Sequence, residues 1–235
     1  MYVQGKSRVS VVITAAGKGS RMGMQQNKQY IEIQGKPILA RTIQAFEGCS
    51  RIDEIIITAG EDEVEYCRRN IVGKYGFNKV KAVVAGGASR QQSVYNGLRH
   101  VSAECGIVLI HDGARPFINA ECICACIEAA EENGAACAAV PMKDTLKRAD
   151  PEGFVEETVE RSSLWSIQTP QAFRYNLIME AHSKAEMDRF NGTDDAVLAE
   201  RLGHRVKLVL CSYYNIKITT KEDLAFAETI SRITF

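Results

Sequence analysis

Three glycines and three cations share one short stretch: Gly17, Gly19 and Gly23 are interleaved with Lys18, Arg21 and Lys28, and no Asp or Glu occurs before Glu32. Glycine lets the backbone take φ > 0 and approach a ligand that a Cβ would hold off. Backbone amides and cations together suit an anion. The chemistry on offer is capture of a polyanion, with a solvated basic loop as the plain alternative. A dinucleotide loop expects a third glycine where Met22 stands and an acid about twenty residues on, and a P-loop expects Gly-Lys-Ser/Thr at its close. Neither pattern is present in the right form. What remains is a loop that wraps a triphosphate with lysine and arginine side chains as well as amides.

Two later clusters could act with this loop. One is Gly86-Gly87-Ala88-Ser89-Arg90-Gln91-Gln92-Ser93, in which Ser89 is a candidate helix cap; the other is His111-Asp112-Gly113-Ala114-Arg115-Pro116. Asp112 suits a metal ligand or a ribose partner, against a turn cap as the alternative. His100, His111, His182 and His204 are too scattered for a metal cluster, and His111 reads as structural. No Ser-His-Asp arrangement suggests a nucleophile.

The elements that must position these groups follow from pattern. Val9 to Ile13 is a β-branched run of the kind buried on both faces of a parallel sheet. Short apolar strands are expected at Ile55–Ile57, Val80–Val84, Ile107–Ile110, Ala136–Val140, Val206–Leu210 and Ile216–Ile218. Helices are expected from Pro37 to Gly48, Glu61 to Val72, Ser89 to Val101, Asn119 to Asn133, Arg174 to Glu186, Thr193 to Leu202 and Lys221 to Ser231. Strands alternating with helices predict right-handed βαβ crossovers, hence a single α/β Rossmann-like domain with a mostly parallel sheet. Ligands on such sheets bind beyond the carboxyl ends of the strands, and both clusters fall there. From Met142 to Trp165 the rhythm stops, and polar strand-like runs flank an Asp150-Pro151-Glu152-Gly153 turn. A protruding β-hairpin carrying Leu146, Phe154 and Val155 must fold back or pack on a partner.

Composition sets the remaining bounds. The 235 residues include 29 basic and 29 acidic ones, so there is no bulk attraction to nucleic acid or anionic membrane, and any anion binding is local. Eight cysteines show no CxxC pair or compact secreted framework, which fits reduced thiols. Cys122, Cys124 and Cys126 are spaced two apart on an expected helix and cannot converge on one metal. Lys6, Arg8 and the apolar run after them imitate a short signal peptide, but the run is interrupted by Ser10 and Thr14. A soluble, unprocessed, cytoplasmic protein is expected.

The motif AAGKGSRMG followed by NKQY resembles the nucleotide-binding signature of the sugar-phosphate nucleotidyltransferases. Within them it is most similar to the 2-C-methyl-D-erythritol 4-phosphate cytidylyltransferases. The likeness extends through Gly86-Gly87 with Arg90 and Ser93, HDGARP from His111, KDTLK from Lys143, ERSSLW from Glu160, QTPQAF from Gln168, TDDA from Thr193 and NIKITT from Asn215. It departs where the family usually has proline, at Asn27, and where related enzymes have a second acid, at Tyr214. The resemblance implies a CTP-dependent transfer to a polyol phosphate, Mg²⁺ on Asp112, and Arg21, Lys28 and Lys217 as catalytic cations. It further implies that Ala15, Ala16, Gly17, Gly19, Gly86, Gly87, Ser93 and Asp112 hold the nucleotide. For the acceptor it implies Arg115, Thr193 and Lys217 from one subunit of a homodimer, with Thr145 and Arg161 from the other. A ribitol 5-phosphate cytidylyltransferase is the neighbouring alternative, disfavoured by Lys147, Gly113 and Leu164-Trp165. A non-catalytic nucleotide-binding regulator is the alternative of another class, disfavoured by the presence of Arg21, Lys28, Asp112 and Lys217.

Overall fold

The computed structural model describes residues 7–17 and 27–234; Lys18, Gly19, Arg21 and Gly23 therefore lie outside the described residues. Strand β1 (Arg8–Ala15) runs through the middle of a seven-stranded sheet. After it come a small antiparallel pair, β2 (Glu32–Ile33) and β3 (Lys36–Pro37), then α1 (Ile38–Glu47) and β4 (Glu54–Ala59). Helix α2 (Val64–Tyr66), strand β5 (Val80–Ala85), helix α3 (Arg90–Leu98) and strand β6 (Cys105–Asp112) complete the first half. Helix α4 (Ala120–Asn133) leads to β7 (Ala135–Pro141). An antiparallel arm follows, made of β8 (Leu146–Ala149) and β9 (Val155–Val159), and the chain returns through β10 (Trp165–Arg174). Helices α5 (Tyr175–Met187) and α6 (Ala196–Arg201), strand β11 (Lys207–Leu210) and helix α7 (Lys221–Thr234) close it.

Strand order is β11-β7-β10-β6-β1-β4-β5, parallel except for β10, which is antiparallel to both neighbours. Chain order moves outward from β1 through β4 to β5, then returns to β6 on the other flank of β1, so the switch point lies between β1 and β6. The period of two along each strand divides its apolar residues between two layers. Val11, Ile13, Ile55, Ile57 and Leu109 face α1 and α4. Val12, Ile56, Val108 and Ile110 face α3, α5 and α6. All are fully buried, each worth about 1.5–3 kcal/mol relative to exposure. Helix α3 closes on β1 because Gly97 has no Cβ: one placed there would stand 2.5 Å from Val12 Cγ1. A third cluster joins α7 to the β2–β3 pair through Ile33, Ile38, Ile218, Ala227 and Ile230.

Three expectations are corrected. Glu61 to Val72 is not one α-helix but a 3-10 turn over Glu61–Glu63, α2, and a π turn over Cys67–Gly73. Ile216–Ile218 is not a strand, since Ile218 N–H goes to Ala114 O at 2.9 Å instead of a ladder partner. The helix expected from Thr193 starts only at Ala196, where Asp194 Oδ1 accepts from Val197 N–H at 3.1 Å. Trp165–Arg174, where the sequence pattern predicted no element, is a ten-residue strand.

The buried thiols give a pH prediction. Burial pushes Cys67 and Cys137 up to about 12 and Cys105 to about 11. Folded thiols thus keep protons that the unfolded chain releases from about pH 9 upward, so their contribution is intact at neutral pH and declines as pH rises. The slope is about 1.4 kcal/mol per pH unit for each such thiol until its folded pKa is reached. Urea midpoints measured under reducing conditions are expected to fall clearly between pH 8 and pH 10; equal midpoints would contradict ionisation-resistant thiols.

Candidate active site

A cleft of about 590 Å³ opens at the switch point, lined by the ends of β1 and β6, the turn after β5 and the segment after β11. The β5 turn is built by close approach. A Cβ on Gly86 would lie 2.4 Å from Ala16 Cβ, while Gly86 N–H donates to Ala59 O at 2.7 Å. Ser93 holds that turn, its Oγ accepting from Gly87 N–H at 2.9 Å and donating to Ser89 O at 2.9 Å. Ser89 caps α3 as expected, accepting from Gln92 N–H.

On the β1 side, Gln29 is buried, and its amide donates to Ala15 O and, at 3.3 Å, to Gly17 O. It tethers both ends of the first turn beyond the strand, a role that its polar type and loop position did not announce. Beside it, Lys28 Nζ donates to Ile218 O at 3.2 Å. Asn27 adopts φ −62° and ψ 131°, and its amide donates to Glu63 Oε1 at 2.7 Å, so the turn that presents Lys28 is held from the side.

Asp112 is the electrostatic centre. Its Oδ2 lies 2.7 Å from Lys217 Nζ and 3.7 Å from Arg115 Nε, and its Oδ1 lies 3.1 Å from Arg90 Nε. Burial opposes ionisation of this carboxyl, but Arg90, Lys217 and Arg115 together overcome it and hold the group well below the ordinary carboxylate range. Its backbone N–H donates to Thr169 Oγ1 at 3.0 Å, which ties β6 to β10 beside the cleft. Behind it, His111 is fully buried with its ring bonded to Arg115 O and Thr169 Oγ1, and burial lowers it to about 4, so it is neutral near pH 7.

Lys217 owes its place to anchors on either side. Asn215 is buried and donates to Gln168 Oε1 and Thr169 O, both at 2.9 Å. Ile218 is buried in the α7 cluster, and Thr220 and Asp223 exchange reciprocal capping bonds at the start of α7.

The fold therefore brings Ala15, Ala16, Gly17, Lys28, Gly87, Ser93, Asp112 and Lys217 to one cleft, with Gly86 at its rim. Arg21 and Gly19 lie outside the described residues. Arg115 is turned beneath Asp112 and donates to Asn215 O at 2.7 Å. Thr193 is exposed on the segment before α6. Thr145 and Arg161 are exposed at the arm, where Arg161 donates to Lys143 O, and neither lines the cleft of its own chain. Sequence reasoning gave Arg90, Asp195, Gln29 and Gln171 no role beyond their motifs and took His182 only as one of four scattered histidines.

No three His, Cys, Asp or Glu side chains converge among the described residues. A single carboxylate suits Mg²⁺, an ion that completes its shell with phosphate oxygens and water, better than a dedicated protein cage. No helix among the described residues is long and apolar enough to cross a membrane.

A doubly wound sheet with a cation-flanked carboxylate at its switch point, and a glycine-rich basic sequence after its first strand, fits an α/β nucleotidyltransferase. The family model described as 2-C-methyl-D-erythritol 4-phosphate cytidylyltransferase matches residues 9–232. The protein of that name from Alkaliphilus oremlandii is 52% identical over 95% of each chain, and that from Geobacter metallireducens is 49% identical over 94% of this chain and 96% of its own. The crystal structure of the 4-diphosphocytidyl-2C-methyl-D-erythritol synthase from Anaerococcus prevotii superposes with TM-score 0.86 at 36% identity, covering 97% of both chains. The cytidylyltransferase structure from Thermus thermophilus gives 0.78 at 32% identity, over 96% of this chain and 99% of that one. The chain belongs to the 2-C-methyl-D-erythritol 4-phosphate cytidylyltransferase family.

Proposed function

We propose that this enzyme joins CTP to 2-C-methyl-D-erythritol 4-phosphate, giving 4-diphosphocytidyl-2-C-methyl-D-erythritol and pyrophosphate for isoprenoid precursor synthesis. The observation that carries this reading is the cleft itself, which Lys28 lines and in which Lys217 and Arg90 pair with Asp112. A phosphate oxygen of the acceptor attacks the α-phosphorus of CTP, the new P–O bond forms, and the bond to the β-phosphate breaks. The attacking oxygen is already largely ionised at neutral pH, the second phosphate pKa being about 6, so no general base is required. The chain's own task is to bring two anions together in line and to stabilise charge as it moves to the departing pyrophosphate.

Lys28 and Lys217, which line the cleft, are suited to that task, and resemblance to the family's motif extends it to Arg21. Ala15, Ala16, Gly86 and Gly87 present small residues and backbone where a base can approach closely, and Ser93 keeps their turn in shape. Asp112 would hold Mg²⁺, which when bound neutralises charge on the triphosphate and its leaving group.

The same reading makes the enzyme a homodimer with shared sites. Phe154 and Val155 on the arm are 69% and 62% exposed, and Ile167, Leu210 and Tyr213 near its root are exposed as well. A two-fold partner would cover such surface and would bring Thr145 and Arg161 to the neighbour's acceptor phosphate.

Pyrophosphate release from CTP, measured with 2-C-methyl-D-erythritol 4-phosphate and with ribitol 5-phosphate in parallel, tests the assignment. The methylerythritol substrate is expected to react faster. A preference for ribitol 5-phosphate would overturn the substrate while leaving the cytidylyl transfer.

A further inference from the structure

Arg90 is the first residue of α3, where the helix dipole disfavours a cation. Two carboxylates hold it there. Its Nε lies 3.1 Å from Asp112 Oδ1, and its Nη1 lies 2.7 Å from Asp195 Oδ2. The second carboxylate is not a surface partner, for Asp195 is 1% exposed and is itself held by two further side chains. His182, also 1% exposed, sets Nε2 at 3.1 Å from Asp195 Oδ1. Gln171 Oε1 on β10 accepts from the backbone N–H groups of Asp195 and Ala196 at 3.0 and 2.9 Å. The ring of His182 stacks on Tyr95 of α3, with centroids 5.7 Å apart and planes 7° from parallel. A continuous line of polar contacts therefore runs from His182 through Asp195, Arg90 and Asp112 to Lys217, starting in the packed layer between α3 and α5 and ending in the cleft.

We propose that Asp195, oriented by His182, is a positioning residue for nucleotide binding and transfer: it fixes the guanidinium of Arg90, and through it the carboxylate of Asp112. The fork of Arg90 is shared between two acceptors, so only part of its charge serves Asp112. The remaining Asp112 oxygen stays directed at Lys217. Without Asp195 the guanidinium is released to turn wholly onto Asp112 or into the cleft, and the geometry that Lys217 depends on is lost. Two buried carboxylates on one arginine would be costly to keep if structure alone were served, because burying an ion pair returns little net stability.

The inference rests on the cytidylyl-transfer reading for its kinetic form, and nucleotide affinity supplies a test independent of that reading. The experiment is a double-mutant cycle of Asp195→Asn and Arg90→Met, read both as kcat/KM for CTP and as calorimetric CTP affinity, at a temperature where circular dichroism shows each variant folded. If Asp195 acts through Arg90, each single variant loses about tenfold or more in kcat/KM and the double variant loses no more than Arg90→Met alone, the signature of coupled residues. His182→Gln, which keeps an N–H donor toward Asp195, should retain most of the activity that His182→Ala loses. Multiplicative losses in the cycle, or Asp195→Asn at wild-type kcat/KM and affinity, would overturn the proposal. If Asp195→Asn does not fold, the cycle is run with His182→Ala in its place and judged by the same criterion. A wild-type enzyme that binds CTP but transfers nothing would defeat the transfer reading, and the affinity cycle would still decide the positioning role.

Discussion

Lys28→Ala is expected to lower turnover by on the order of 10²-fold or more while the fold stays intact. The side chain springs half-buried from a short turn beside the cleft, and its ammonium donates to Ile218 O, next to Lys217. Removing it leaves the turn anchored by Gln29 and Asn27, so circular dichroism and urea midpoint should be close to wild type. The loss should appear in kcat more than in KM, since charge on the reacting phosphates grows in the transition state. Near wild-type turnover would remove Lys28 from the chemistry. The same variant tests the shared site. Arg161→Ala should also be poorly active, yet mixing the two and allowing subunits to exchange should restore part of the activity, because one site of a heterodimer contains neither substitution. Demonstrated heterodimers without recovery would place Arg161 at its own chain's site.

Asp112→Asn should be costly twice over. Turnover is expected to fall by on the order of 10²-fold or more, because the carboxylate that steadies Lys217 and would hold the metal is gone. Stability should fall as well, by about 3–5 kcal/mol, since Arg90, Lys217 and Arg115 would crowd a neutral amide in a buried position. Urea titration separates the two effects, and kinetics below the unfolding transition report the chemistry alone. A variant as stable as wild type would show that the three cations do not depend on Asp112. A variant that stayed fully active would remove Asp112 from both roles.

How far the sequence could be read follows the kind of interaction involved. Strands β1, β4, β6 and β7 were legible because they are buried on both faces and so read as continuous apolar runs. Strand β10 was not, because Gln168, Thr169, Pro170 and Gln171 look like a loop. Their polarity is satisfied by Asn215, Asp112 and the segment around Asp194, partners that only the folded chain supplies. Ile216–Ile218 failed in the opposite sense, its alternating isoleucines imitating a strand although Ile218 is an anchor in the α7 cluster. The glycine turns and Asp112 stood out by residue type and position after a strand. Arg90 and Asp195 did not, since 105 positions separate them and nothing local marks them as a pair. Arg115 was legible as a cation but not in its direction, which is inward under Asp112.

Strand β10 also couples two regions that look separate. It begins at Trp165, at the root of the arm, and five residues further on reaches Pro170, just past the Thr169 hydroxyl that accepts from Asp112 N–H. At about 3.3 Å per residue the distance from Trp165 to Thr169 is only about 13 Å. An extended chain resists stretching, so a shift of the arm root is delivered to the floor of the cleft instead of being absorbed by a loop. Whatever seats on the arm would therefore bear on the same strand whose Thr169 hydroxyl receives the Asp112 backbone N–H.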